Sequence, residues 1–290
     1  MYSQTTPRDG TPCRMLIRLC ITAIAIIAAG QSLAAPLPQS CYDRSGMKPP
    51  TNTPGKTLHV LIDQTMALTQ SMKTSLLDLV GQWGDHGERV TISRFSANIK
   101  GQYAEMVYDA VGDAPPGEEY LFHLRRKEKH ALLDCLAQRQ TVLHEQLLAE
   151  LTSTLNRNSD KLPKSNILHS LRDFAVQVVQ FDKATDKTIL LVSDGLENSD
   201  VFSFHQRNKI RLINPEKMMS MVRGRGLIAN WEGARVYLFG LGYISNEKFY
   251  ARPNIIKPLK KFWMKYFAES NAVLQDNSIG TPMLLTKSIM

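Results

Sequence analysis

Two short apolar runs, each ending in an acidic turn, constrain this chain more than any other feature. Leu58-His59-Val60-Leu61-Ile62 leads directly into Asp63-Gln64-Thr65, and Thr188-Ile189-Leu190-Leu191-Val192 leads directly into Ser193-Asp194-Gly195. Each run has the length of a strand and offers almost no polar face to water, so it belongs in a sheet covered on both sides. In a parallel sheet the C-terminal ends of the strands share one edge, where ligands bind. Two carboxylates delivered to that edge, with hydroxyls beside them, suit a hard divalent cation.

The rest of the chain supplies the layers such a sheet requires. Strands are expected at 56–62, 89–95, 188–192 and 234–239, with shorter ones at 103–108 (an edge) and 272–274. Met72, Leu76, Leu77, Val80 and Trp83 recur at helical spacing over 69–83. Further helices are expected over 125–155, with one interruption, and over 215–222. Ile167, Leu168, Leu171 and Phe174 mark another helix, which Ser165 is placed to cap. The last helix, 257–270, would carry Pro258 in its first turn, with Trp263, Tyr266 and Phe267 facing the core. Strands alternating with helices give an α/β fold: a doubly wound, mostly parallel central sheet flanked by helices. Residues 36–55, rich in proline, glycine, serine and threonine, read as an extended N-terminal arm. Residues 56–290 read as the domain, with a helical insertion around 112–163.

The first 35 residues read as an export signal. Arg14 and Arg18 precede the apolar stretch 19–29, and Ser32-Leu33-Ala34 provides small residues for cleavage near Ala35. The apolar stretch falls short of the roughly 20 residues that span a bilayer. An uncleaved anchor, with the domain facing the periplasm, is the alternative. Cleavage would remove Cys13 and Cys20 and leave Cys41 and Cys135, an even pair in an oxidising compartment. A disulfide between them would tie the arm to the helix that carries Cys135. The expected location is periplasmic or secreted. The formal charge of +8 raises the question of nucleic acid. However, the basic clusters are short (Arg125-Arg126-Lys127; Lys257, Lys260 and Lys261) and are not interleaved with aromatic residues, so no nucleic-acid partner is expected.

A small cation needs several oxygens aimed at one point. Asp63 and Asp194 can each supply a carboxylate, Thr65 a hydroxyl from the first loop, and Ser165 a hydroxyl from a third loop just before a helix. Mg2+ keeps several waters and accepts few protein ligands; Ca2+ and Mn2+ are the alternatives. At these residues the sequence resembles the von Willebrand factor A-type domain family over roughly 56–273. That family opens on a hydrophobic strand ending in Asp-x-Ser-x-Ser. Here the corresponding residues are Asp63-Gln64-Thr65-Met66-Ala67, so Ala67 stands where the second hydroxyl would be. Lys164-Ser165-Asn166-Ile167 resembles its later threonine loop, with serine in place of threonine. Leu190-Leu191-Val192-Ser193-Asp194-Gly195 resembles its strand ending in Asp-Gly, and 236–242 resembles its penultimate strand and loop. The resemblance implies a divalent metal-ion-dependent adhesion motif in divergent form. It also implies a role in protein binding or assembly, the ion taking an acidic group of a partner as an outer ligand. An envelope protein is the expected partner. A metal-independent envelope scaffold is the rival reading.

Enzymatic readings have less behind them. Ser193 lacks the glycine elbow of common serine hydrolases. The histidines are scattered, and Arg223-Gly224-Arg225-Gly226 lacks phosphate-loop spacing. Glu197 is the one base candidate for metal-assisted hydrolysis, in a locally acidic stretch with Asp194 and Asp200.

Overall fold

The computed structural model describes residues 36–50, 54–84, 87–99, 102–158, 165–206, 209–245 and 248–280; the expected export signal lies outside them. In chain order come α1 (Cys41–Ser45), β1 (Lys56–Asp63), α2 (Gln70–Val80), β2 (Arg89–Ile99), β3 (Gln102–Val111), α3 (Glu118–Phe122), α4 (Arg126–Asn156) and α5 (Ile167–Gln177). Then follow β4 (Asp186–Val192), the hairpin β5 (His205–Gln206) and β6 (Lys209–Ile210), α6 (Pro215–Gly224) and β7 (Arg235–Phe239). A second hairpin, β8 (Tyr243–Ile244) and β9 (Phe249–Tyr250), precedes α7 (Pro253–Glu269) and β10 (Val273–Gly280).

The main sheet has six strands in the order β10-β7-β4-β1-β2-β3. All its pairings are parallel except that of β3, which runs antiparallel at one edge. This is the mostly parallel, doubly wound α/β architecture expected from the alternation of patterns. After β1 the chain moves to β2 and β3 on one side. After β4 it moves to β7 and β10 on the other. The connections leaving the adjacent strands β1 and β4 therefore diverge, which makes the C-terminal edge between them the topological switch point, where open α/β sheets bind ligands.

Strand parity explains the continuous apolar runs. Leu58, Val60 and Ile62 of β1, with Leu190 and Val192 of β4, face a core that includes Leu76 of α2 and Leu147 and Leu151 of α4. Leu61 of β1, with Ile189 and Leu191 of β4, faces a second core built on α5, α6 and α7. Asp63 shares parity with Leu61, so its side chain leans toward the α5 side. Trp263, Tyr266 and Phe267 are buried in that second core, as their spacing implied.

Cys41 and Cys135 form a disulfide with a Cα–Cα distance of 5.9 Å. The arm is also held by polar contacts: Ser40 Oγ and the Cys41 amide both donate to Asp113, and Arg139 Nε donates to the Pro38 carbonyl.

Several local expectations are corrected. The long helix α4 runs without interruption, and neither glycine nor proline falls within it. It docks through Leu143, Leu147, Leu151 and Leu155 onto the α2 face of the sheet, so the inserted region is part of the core. Helix α7 starts earlier than expected, with Pro253 in its first turn and Pro258 inside it. Ser165 does not cap α5: the N-cap position is Asn166, and it makes no side-chain cap. Strand β10 extends well beyond 274. Among the described residues, no helix is long and apolar enough to cross a membrane.

Candidate functional site

The pairing of β1 with β4 places Ile62 beside Val192, so the residues that follow each strand meet at the switch point. Asp63 is fully buried there and is surrounded by donors. Its Oδ1 accepts from the Thr65 amide (2.9 Å) and the Thr65 hydroxyl (2.6 Å). Its Oδ2 accepts from Ser193 Oγ (2.9 Å) and Ser165 Oγ (3.1 Å). Three of the four residues expected at the site are thus joined directly. The fourth, Asp194, lies one residue beyond Ser193, close enough for the Asp63 charge to act on it. Its Oδ1 accepts from the Leu196 amide at 2.8 Å, so it also fixes its own turn.

The Asp194 turn has little freedom. Gly195 has φ +67°, and a Cβ built there would lie 2.6 Å from Leu241 Cδ1 and from Trp263 Nε1, closer than any side chain tolerates. Trp263 Nε1 donates to the Gly195 carbonyl (3.0 Å), and the Gly242 amide donates to the Asp194 carbonyl (2.8 Å). Gly240 lets the Met66 methyl approach in the same way, at 3.0 Å from its own notional Cβ.

Two contributors had been given other roles or none. Ser193, weighed above as a nucleophile, serves as a donor to Asp63. Glu197 is fully buried, and its Oε2 accepts from the Leu168 amide (3.0 Å), covering an open N–H at the start of α5. Next to it, the Asn198 amide donates to the Ser165 carbonyl (3.0 Å), which pins the third loop. Asp200 points away and forms an exposed ion pair with Arg225. The acidic stretch therefore splits three ways, and Glu197 is enclosed with Oε2 bound at the start of α5. His59 does lie between Thr91 Oγ1 (2.8 Å) and Asp182 Oδ2 (3.0 Å). Those residue types could form a nucleophilic relay, but His59 and Thr91 are sealed from solvent.

The three acids of this edge differ in how they are stabilised. Burial pushes the Asp63 carboxyl up, while the bonds from Thr65, Ser193 and Ser165 pull it down. Burial raises Asp194, and the Asp63 charge raises it further. Four donors face Asp63, so of the pair Asp63 is the better-stabilised anion. Burial also pushes Glu197 up to about 8. Among the described residues, no lysine or arginine forms an ion pair with any of the three.

No group of three or more histidine, cysteine, aspartate or glutamate side chains among the described residues is arranged to hold a metal. The donor set is instead two carboxylates with hydroxyls, which suits a hard cation that keeps part of its water shell. A hydroxyl that donates to Asp63 retains its own lone pairs, so those bonds do not use up its oxygen as a ligand. Ala67 contributes no oxygen.

No protein-family model and no curated protein matches the chain. Among solved structures it is similar to an aerotolerance-related membrane protein from Bacteroides fragilis, with TM-score 0.35 and 12% identity over 77% of this chain and 93% of that one. It is similar to the conserved hypothetical protein BatB from Bacteroides thetaiotaomicron, with TM-score 0.32 and 11% identity over 76% and 89%. It is also similar to the pilus adhesin SpaC from Lactobacillus rhamnosus GG in its open conformation, with TM-score 0.36 and 11% identity over 79% of this chain and 29% of the adhesin. Likeness at this level decides nothing about function.

Proposed function

We propose that the chain is an exported protein-binding or assembly domain that recognises an acidic group of an envelope partner through a divalent cation. Asp63, Thr65, Ser165 and Asp194 would hold the ion, Mg2+ first, with Ca2+ or Mn2+ as substitutes. A bound cation supplies a coordination position that a partner carboxylate can fill. The observation behind this reading is the buried Asp63 carboxylate at the topological switch point with the half-buried Asp194 close enough to feel its charge, neither of them in an ion pair with a lysine or arginine among the described residues. Buried like charges are costly, and an ion of opposite sign is the ordinary remedy.

The rival reading, a metal-independent scaffold on the same fold, has its own support. Four hydrogen bonds already satisfy Asp63, and Ala67 removes one expected oxygen. Calorimetric titration with Mg2+ and Mn2+ separates the two. The parent should bind one ion, and Asp63→Ala and Asp194→Ala should lose it. Equal affinity in all three proteins, or none in the parent, leaves the scaffold reading standing. Capture of an envelope partner should likewise fail in chelator and return with Mg2+.

A further inference from the structure

We infer that Asn158, just beyond the C-terminal end of α4, is a positioning residue that latches the Asp63 loop into the shape from which it presents its carboxylate. This rests on the ion-binding reading given above and adds to it a residue outside the four proposed ligands. Asn158 is 95 residues from Asp63 in sequence, yet its Nδ2 donates to the Asp63 carbonyl (3.0 Å) and to the Met66 carbonyl (3.0 Å). One side-chain amide thus spans the whole turn from Asp63 to Met66. Its Oδ1 accepts from Gln64 Nε2, which also reaches the Thr154 carbonyl at 3.4 Å. The amide orientation follows from this network, because the opposite one would set Oδ1 against two carbonyl oxygens.

The turn has few other supports. The Gln64 amide donates to the Phe95 carbonyl, and the Thr65 amide donates to the Asp63 carboxylate itself. The second of these would be weakened by any ion that draws on Asp63. Asn158 holds the backbone independently of that carboxylate, and it does so from a helix locked into the core by Leu147, Leu151 and Leu155. Side chains that orient a metal ligand in this way commonly account for about 10–100-fold in affinity.

The test compares Asn158→Ala and Asn158→Asp with the parent and with Thr152→Ala, an exposed control on the same helix. Amide exchange is followed in chelator, and Mg2+ affinity by calorimetry. Asn158 is only partly buried and lies past the helix end, so its truncation opens no core cavity. Asn158→Asp keeps the volume and the acceptor for Gln64 while removing both donors. Both variants should speed exchange at the Gln64 and Thr65 amides by about tenfold or more, with β4 amides unchanged. They should also weaken Mg2+ binding by about 10–100-fold. Exchange at Gln64 and Thr65 within twofold of the parent in either folded variant would overturn the latch. If the parent itself binds no Mg2+, the ion-binding reading fails, and the exchange comparison still decides the role of Asn158.

Discussion

Two buried acidic clusters lie four residues apart on β1, and the protein treats them in opposite ways. Around His59 every charge has an internal partner. His59 Nε2 bonds to Asp182 Oδ2 at 3.0 Å, Arg89 comes within 3.8 Å of Asp182 Oδ1, and Arg89 also makes two hydrogen bonds to Asp109. Although burial pushes against it, the bonds from His59 and the Ala184 amide hold the Asp182 carboxyl well below the usual range. Around Asp63 no such cation is present among the described residues, and the carboxyls of Asp194 and Glu197 are driven up instead. A cluster whose charges are paired from within serves the fold. A cluster with no such pairing among the described residues, at the switch point, is where an outside ion or partner is expected to act.

The contrast can be broken most sharply by amidating one acid in each cluster. Asp182→Asn leaves His59 without its carboxylate partner and Arg89 with only Asp109, and loss of one member of a buried pair typically costs about 3–5 kcal/mol. Asp194→Asn keeps the side-chain oxygen facing the Leu196 amide and removes repulsion with Asp63. In chelator it should remain within about 1 kcal/mol of the parent or exceed it. Urea unfolding measures both. Equal losses would make Asp194 a structural charge and erase the distinction.

The next largest effect is in the pH dependence without metal. Asp194 and Glu197 have folded pKa values above their unfolded ones, so the folded state retains protons that the unfolded state has released. Their contribution is complete below about pH 4 and is lost as pH rises through about 8. Burial lowers His59, so its contribution is complete above about pH 6.5 and is lost as pH falls. Between pH 7 and 8 His59 is neutral in the folded state and mostly neutral in the unfolded one, so the acids dominate the slope. Stability in chelator should therefore fall over that interval, by up to about 1.4 kcal/mol per pH unit for each acid. Asp194→Asn and Glu197→Gln should each flatten the urea midpoints, and saturating Mg2+ should do so in the parent. A midpoint that rises from pH 7 to 8 in chelator would reverse the assignment.

The same two clusters show what a sequence exposes and what it hides. Asp63 and Asp194 were legible because the apolar runs before them fix both strand and edge, and strand adjacency then brings the loops together. Thr65 and Ser165 followed from spacing and from the family resemblance. Asn158 and Glu197 were not legible. Each acts across a long sequence gap on backbone groups, and a lone asparagine or glutamate in a polar stretch carries no periodic signal. Ser193 was set aside as a nucleophile and given no other role, since a serine beside an aspartate looks the same whether it attacks a substrate or donates a hydrogen bond. The His59 cluster was hidden because its members come from β1, β2, β3 and the turn before β4, and only the folded sheet brings them together. Strand β10 was truncated because Gln275-Asp276-Asn277-Ser278 lacks the apolar character of the inner strands.

The smallest expected effect separates the hydroxyls around Asp63 by role. Ser165 and Ser193 donate to the same oxygen at 3.1 and 2.9 Å, so in chelator the two alanine variants should be nearly alike. Each should cost about 1 kcal/mol, because three donors remain on the carboxylate. Ser193 Oγ also accepts from the Gly195 amide at 3.0 Å, so one of its lone pairs is committed to the turn. Ser165 Oγ has no comparable backbone bond among the described residues and keeps its acceptor capacity for an ion. With Mg2+ present the pair should diverge: Ser165→Ala should lose most of the ion-induced rise in melting temperature, and Ser193→Ala should retain it. Thermal unfolding with and without Mg2+ reads the difference directly. If Ser193→Ala loses the rise and Ser165→Ala keeps it, the third oxygen of the site comes from the β4 turn, and the loop before α5 serves only to brace Asp63.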